Sequence, residues 1–209
     1  MEQQKKLPGH LVIISSPSGA GKTSITNKLL ELYDDLLLSV SVTTRAKREN
    51  ETEGKDYFFV SEKEYEELVS EKQLLEYAEV FGNHYGTPKR FVLEKLNQDK
   101  NIVFDIDWQG ARELTKHKEF NIITIFILPP SMEVLRNRLI NRGLDSDEII
   151  GMRMAQAKTE ISHYSEYDYV ILNDNFDEAV EKIKKIVDFH TLPSIKPQDF
   201  DSFVESHLN

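Results

Sequence analysis

Residues 10 to 33 constrain this chain most. A short β-branched run, His10 to Ser15, leads into Ser16-Pro-Ser-Gly-Ala-Gly-Lys-Thr23, and a helical pattern with Ile25, Leu29, Leu30 and Leu32 follows up to Tyr33. In such a strand, loop and helix, Gly19 and Gly21 let successive backbone N–H groups turn inward, and the helix starting at Lys22 adds its positive dipole end. That nest suits the phosphates of ATP or GTP. Ser16, Pro17, Ser18, Gly19, Ala20 and Gly21 would supply the cradle, Lys22 a charge for the β- and γ-phosphates, and the Thr23 hydroxyl a Mg²⁺ ligand. One position departs from the usual pattern, since the motif's first glycine is Ser16 here.

The remaining hydrophobic runs fit the fold that such a loop belongs to. Leu36 to Val42, Asn101 to Ile106, Asn121 to Leu128 and Tyr167 to Leu172 read as buried strands. Helical stretches are expected at Gln109 to Lys118, at Ser131 to Asn141 with Ser131 as N-cap, and at Asn175 to Phe189. Strands alternating with helices imply an α/β fold, a parallel sheet flanked by helices on both faces. From about Thr43 to Asn97 the rhythm breaks into short pieces at Tyr57 to Val60, Leu74 to Val80 and His84 to Gly86, with a capping box at Ser61 and Glu64. These suit a small mixed or antiparallel lobe. Asp145 to Glu166 is a long charged helical stretch, either a lid over a site or a solvated surface helix. The expected organisation is a core of 1–42 and 98–192 with a lid near 136–165, an inserted lobe at 43–97, and a polar tail at 193–209.

Bulk properties narrow the function classes. At 209 residues, one compact unit is the default. A net charge of -10 disfavours broad attraction to nucleic acid or anionic membrane, so an anionic ligand must be met by clustered arginines. The chain has no cysteine, which removes disulfides, thiolate metal sites and cysteine nucleophiles. Met1 to Gly9 is polar, and Leu11 to Ile14 is too short for a signal peptide or a membrane span, so a cytoplasmic protein is expected.

Other candidate site residues gather near strand ends. Asp105 closes an apolar strand, where its carboxylate can reach the shell of a loop-bound Mg²⁺. Ser41-Val-Thr-Thr-Arg45-Ala-Lys-Arg48 places hydroxyls and two guanidinium groups at another strand end, chemistry suited to a phosphate monoester, although arginines near a turn are also commonly plain solvated charges. Arg138 and Arg142, four residues apart, share a helix face, and Arg153 lies on the next stretch.

Taken together, the motifs point to one family. The loop at 16 to 23, Ser-Val-Thr-Thr-Arg at 41 to 45, Gly-Lys-Asp-Tyr-Phe-Phe at 54 to 59, Leu-Glu-Tyr-Ala at 75 to 78, His-Tyr-Gly-Thr-Pro at 84 to 88, Phe-Asp-Ile-Asp-Trp-Gln-Gly at 104 to 110 and Asn-Arg-Gly at 141 to 143 resemble the guanylate kinases, in the family's order, over residues 10 to about 190. The resemblance implies a phosphate-loop enzyme that phosphorylates GMP, and also dGMP, with MgATP, and whose partners are these small substrates, as a monomer or a homodimer. It implies that Arg45, Arg48, Tyr57 and Tyr85 hold the GMP phosphate, and that Ser41, Glu76 and Thr87 read guanine. Asp105 and Asp107 would organise the metal or position nucleotide, Arg138, Arg142 and Arg153 would bridge the two nucleotides, and Asn173 would lie on the adenine side. Thr87 stands where many members carry serine, which keeps the hydroxyl. Guanine's adjacent N1–H and amino group match one carboxylate, and O6 wants a donor, so Glu76 with Ser41 and Thr87 also makes sense chemically. A non-catalytic module that binds phosphorylated protein segments, or a kinase of another small acceptor, is the alternative.

Overall fold

The computed structural model describes residues 7–191 apart from 50, 81 and 144. The expected polar tail at 193–209 and most of the polar N-terminus lie outside the described residues. Five strands form a parallel sheet: β1 (His10–Ser15), β2 (Leu36–Leu38), β7 (Asn101–Asp105), β8 (Asn121–Leu128) and β9 (Tyr169–Leu172), in the order β2-β7-β1-β8-β9. A second sheet holds β3 (Val42–Thr43), β4 (Phe58–Phe59), β5 (Leu74–Val80) and β6 (Asn83–Pro88), in the order β4-β3-β6-β5. It is mixed, with β3 and β4 parallel and the other pairs antiparallel.

Both faces of the large sheet are covered, which is why its strands read as unbroken apolar runs rather than as alternations. Leu11, Ile13, Ile102 and Phe104 point to one side, where they meet Val92 and Leu96 of α3 (Lys89–Asn97), Ala111 and Leu114 of α4 (Trp108–Leu114), and Leu75 of β5. Val12, Ile14 and Val103 point to the other. There they pack with Ile25 and Leu29 of α1 (Lys22–Leu32), Leu135 of α5 (Met132–Asn141), Ala157 of α6 (Asp147–Ser162) and Ala179 and Ile183 of α7 (Phe176–Thr191). Burying such a side chain fully contributes about 1.5–3 kcal/mol, so each face rests on several such contributions. The remaining helix, α2 (Glu62–Ser70), opens with the Ser61 and Glu64 capping box.

Several boundaries differ from the sequence reading. The run Leu36 to Val42 is two strands, because the chain leaves the large sheet after Leu38. Ser39 N–H still donates to Val103 O at 2.9 Å, whereas Ser41 O already accepts from Phe58 N–H at 2.9 Å in the small sheet. Residues 89 to 97, read as part of the inserted lobe, form a helix packed on β7 of the large sheet, because Val92 and Leu96 share its apolar face. The strand expected from Tyr167 begins at Tyr169, since Tyr167 closes a 3₁₀ turn over Tyr164–Glu166 and the Asp168 carboxylate accepts from the Thr124 N–H and hydroxyl. Helix α4 stops at Leu114, short of Lys118. Among the described residues no helix is long and apolar enough to cross a membrane.

Candidate active site

The loop from Ser16 to Thr23 leaves β1 at the carboxyl end of the sheet and runs into α1. Its turn needs glycine twice. Gly19 has φ +89° and Gly21 φ +104°, and a Cβ on Gly21 would lie 2.5 Å from Asn173 Nδ2. The loop's underside is held by buried polar groups. Asn173, 3% exposed, donates from Nδ2 to Ala20 O at 2.7 Å, and Arg138 donates to Ala20 O at 3.4 Å and to Asn173 O at 3.0 Å. Arg138 and Asn173 thus both reach the loop backbone, and Arg142, at the C-cap of α5, is exposed.

The end of β7 brings charge to the loop's front. Lys22 Nζ lies 2.5 Å from Asp105 Oδ1 and 3.2 Å from Ile106 O, and the Thr23 hydroxyl donates to Asp105 Oδ2 at 3.0 Å. Burial works against the lysine's charge, but the Asp105 carboxylate outweighs it, so Lys22 is held above its ordinary range. From α6, Arg153 donates to the Ser18 hydroxyl at 2.7 Å and pairs with Asp145 at 3.2 Å.

A cavity of about 460 Å³ opens in front of these groups. Its wall brings together ten residues singled out from the sequence: Lys22, Ser41, Arg45, Arg48, Tyr57, Glu76, Tyr85, Asp105, Asp107 and Arg153. Helix α6 adds Ile149 and Met152, and the β5–β6 hairpin adds Ala78, Val80 and Asn83. Thr87 stands one layer back, 1% exposed, with its hydroxyl donating to Glu76 Oε1 at 2.6 Å and lying 3.5 Å from Ser41 Oγ. Tyr57 and Tyr85 meet edge to face, with centroids 5.9 Å apart, and Arg45 lies over the Tyr57 ring at 5.4 Å. Asp107 caps α4 by accepting from Gly110 N–H at 3.0 Å.

Glu76 has the most perturbed carboxylate of this group. It is 3% exposed, and burial, reinforced by the negative charges of Asp107 and Glu113, pushes it up to about 7 against the opposing effect of the Thr87 hydroxyl. Burial likewise raises the Tyr57 phenol, with Asp105 adding to it.

Several contributors escaped the sequence reading. Glu51 pairs with Arg45 at 2.6 Å. Ser39 donates to Thr87 Oγ1 at 3.4 Å. Glu160 on α6 is 9% exposed, and burial raises it despite Lys22 and the Ser18 N–H, which favour its charged form. The spacing of Glu51, three residues after Arg48, was a usable signal. For Glu160, inside an acidic helix, nothing distinguished it from solvated neighbours.

A parallel sheet whose first strand passes through a doubly glycine-turned loop into a helix, with a lysine at the helix start facing an aspartate at the end of the neighbouring strand, defines a phosphate-loop nucleoside-triphosphate-binding fold. A family model described as guanylate kinase matches residues 8–190. The guanylate kinase of Rickettsia felis is 50% identical over 182 residues, which cover 87% of this chain and 94% of that protein. The guanylate kinase of Ehrlichia ruminantium is 46% identical over 208 residues, 99% of each chain. The crystal structure of guanylate kinase from Anaplasma phagocytophilum superposes with a TM-score of 0.75 at 38% identity, over 92% of this chain and 91% of that one. The chain belongs to the guanylate kinase family.

Proposed function

We propose that this protein is an ATP:GMP phosphotransferase, converting GMP and ATP to GDP and ADP. The observation that carries the reading is the single cavity in which Lys22 and Asp105, at the phosphate loop, share a wall with Arg45, Arg48, Tyr57, Tyr85 and Glu76. A donor's phosphates and an acceptor nucleotide would meet there. The intact Lys22, Thr23 and Asp105 set argues against a module that merely binds phosphorylated segments.

In this reading the loop amides and Lys22 hold the ATP phosphates. Arg45, Arg48 and the hydroxyls of Tyr57 and Tyr85 grip the acceptor phosphate, while Glu76, backed by Thr87 and Ser41, accepts from guanine's N1–H and amino group. Arg153 reaches the transferring group from α6. Arg138 and Arg142 serve the donor side, Arg138 and Asn173 through the Ala20 carbonyl. Asp107 positions nucleotide while capping α4. We place the acceptor lobe at residues 43 to about 88 and the lid on α5 and α6.

Thr23 and Asp105 offer adjacent hard oxygen donors, which fits Mg²⁺ bound mainly by nucleotide phosphates and water. The ion would neutralise phosphate charge. Transfer needs no covalent intermediate, because in-line displacement through a loose transition state is accelerated by positioning and by fixed positive charge.

Steady-state assays with ATP against GMP, AMP, CMP and UMP test this. GMP should dominate kcat/KM. Equal use of the four acceptors, or phosphate release without transfer, would overturn the assignment.

A further inference from the structure

Glu51 has no part in the reading above, yet both arginines of the acceptor end converge on it. Its side chain is 12% exposed. Oε1 accepts from Arg45 Nη2 at 2.6 Å and lies 3.9 Å from Arg48 Nη1, while Oε2 accepts from the Arg48 backbone N–H at 2.9 Å. Arg45 Nη1 donates to Ala46 O at 2.8 Å, and the Tyr57 and Phe59 rings lie 5.4 and 5.9 Å from its guanidinium carbon. The guanidinium is therefore fixed by hydrogen bonds from two of its nitrogens and faced by two rings. A planar fork held this way loses little freedom when an anion docks on its remaining donors.

We propose that Glu51 is a positioning residue for acceptor-phosphate recognition, holding Arg45 and the Arg48 backbone in the attitude that receives a phosphate monoester, without itself touching the acceptor. This rests on the reading of the cavity as the GMP site. Burial alone would raise the Glu51 carboxyl, but the Arg45 and Arg48 hydrogen bonds outweigh it and hold it below the ordinary range, so it stays ionised at neutral pH. A carboxylate this close also opposes an incoming dianion. Orientation and repulsion therefore predict opposite outcomes when Glu51 is removed.

The deciding experiment is calorimetric binding of GMP and of guanosine to the full chain, comparing wild type, Glu51→Ala and Glu51→Gln. Positioning predicts that GMP affinity falls about tenfold in Glu51→Ala, the size of one charge-assisted hydrogen bond, and less in Glu51→Gln, which keeps one acceptor oxygen. Guanosine, lacking the phosphate, should change by less than about twofold, within the range of a substitution that touches nothing it contacts. Unchanged or tighter GMP binding overturns the inference, because repulsion would then outweigh orientation. So does an equal loss for GMP and guanosine, which marks a general structural role. If the alanine variant fails to fold, the glutamine variant decides by the same ratio. A wild type that does not prefer GMP to guanosine removes the site reading itself and this inference with it, which separates the two failures.

Discussion

Replacing Glu76 by glutamine should make the protein more stable and worse at its task. The carboxyl is buried and pushed up to about 7 from an ordinary value of 4.5. An acid raised in this way keeps its proton in the folded state after the unfolded chain has released one. Folding stability is therefore lost as pH rises from about 4.5 to about 7, and the loss is complete above that window. At about 1.36 kcal/mol per pH unit, the difference amounts to about 3 kcal/mol. Glutamine is the neutral isostere of the protonated acid, and its carbonyl can still accept from the Thr87 hydroxyl. Above pH 8 the variant should melt about 6 to 12 °C higher than wild type, and near pH 4.5 the two should coincide. Recognition moves the other way, because an amide faces guanine's two donors with one acceptor and one donor. kcat/KM for GMP should fall about ten- to a hundredfold while AMP loses little. Scanning calorimetry from pH 4.5 to 8.5 and paired GMP and AMP kinetics check the two halves. Parallel melting profiles would refute the burial argument, and an unchanged GMP-to-AMP ratio would refute the assignment of guanine reading to Glu76.

Three further outcomes are expected. Lys22→Ala should keep its melting temperature to within a few degrees and lose most phosphoryl transfer, since its amine pairs with Asp105 at the cavity wall and supports no core contact; near-normal turnover would sink the loop assignment. Gly110→Ala would set a Cβ 2.6 Å from Glu76 Oε2, so the carboxylate must shift, and KM for GMP should rise severalfold with KM for ATP unchanged; an equal rise in both constants would point to general damage. A bisubstrate analogue should reduce the radius of gyration in small-angle scattering, because Arg153 on α6 and Arg45, in the loop just after β3, must approach the same phosphate chain; no compaction would count against the lid reading.

What the sequence disclosed was what depends on local chemistry. β1 and β8 run over the residues expected of them, because strands buried on both faces leave unbroken apolar runs. The Ser131 cap and the Ser61 and Glu64 box are contacts within four residues, and both are present. What the sequence left undetermined depends mostly on information that lies elsewhere in the chain. Leu36 to Val42 passes from three leucines to alternating serine and valine, a pattern that a strand in either sheet accommodates, so nothing local says that the chain changes sheets after Leu38. Arg138 and Arg142 share a face by spacing, but spacing does not say that Arg138 folds onto the Ala20 carbonyl. Glu160 looks like an ordinary surface charge because Lys22 and the Ser18 N–H are brought close to it only by the fold, whereas the partners of Glu51 lie three and six residues away.

The arrangement of the two cores also explains how one small cavity can hold two recognition tasks apart. Glu76 follows Leu75, whose side chain is packed with Ile13, Phe104 and Ala111, so the proposed guanine end is referenced to the face of the sheet that carries α3 and α4. The loop is referenced to the opposite face, where Ala20, Ile25 and Leu135 pack with Val12 and Ile14. Asp105 ends the strand that contributes Phe104 to one core and Val103 to the other, and it touches both Lys22 and Thr23. A packing defect on the α3 and α4 face should therefore displace acceptor groups with little effect on the loop, and a defect beneath α1 and α5 should do the reverse. Only changes in the shared strands β1 and β7 should disturb both ends together, because closely packed interiors transmit a displacement through the elements they have in common.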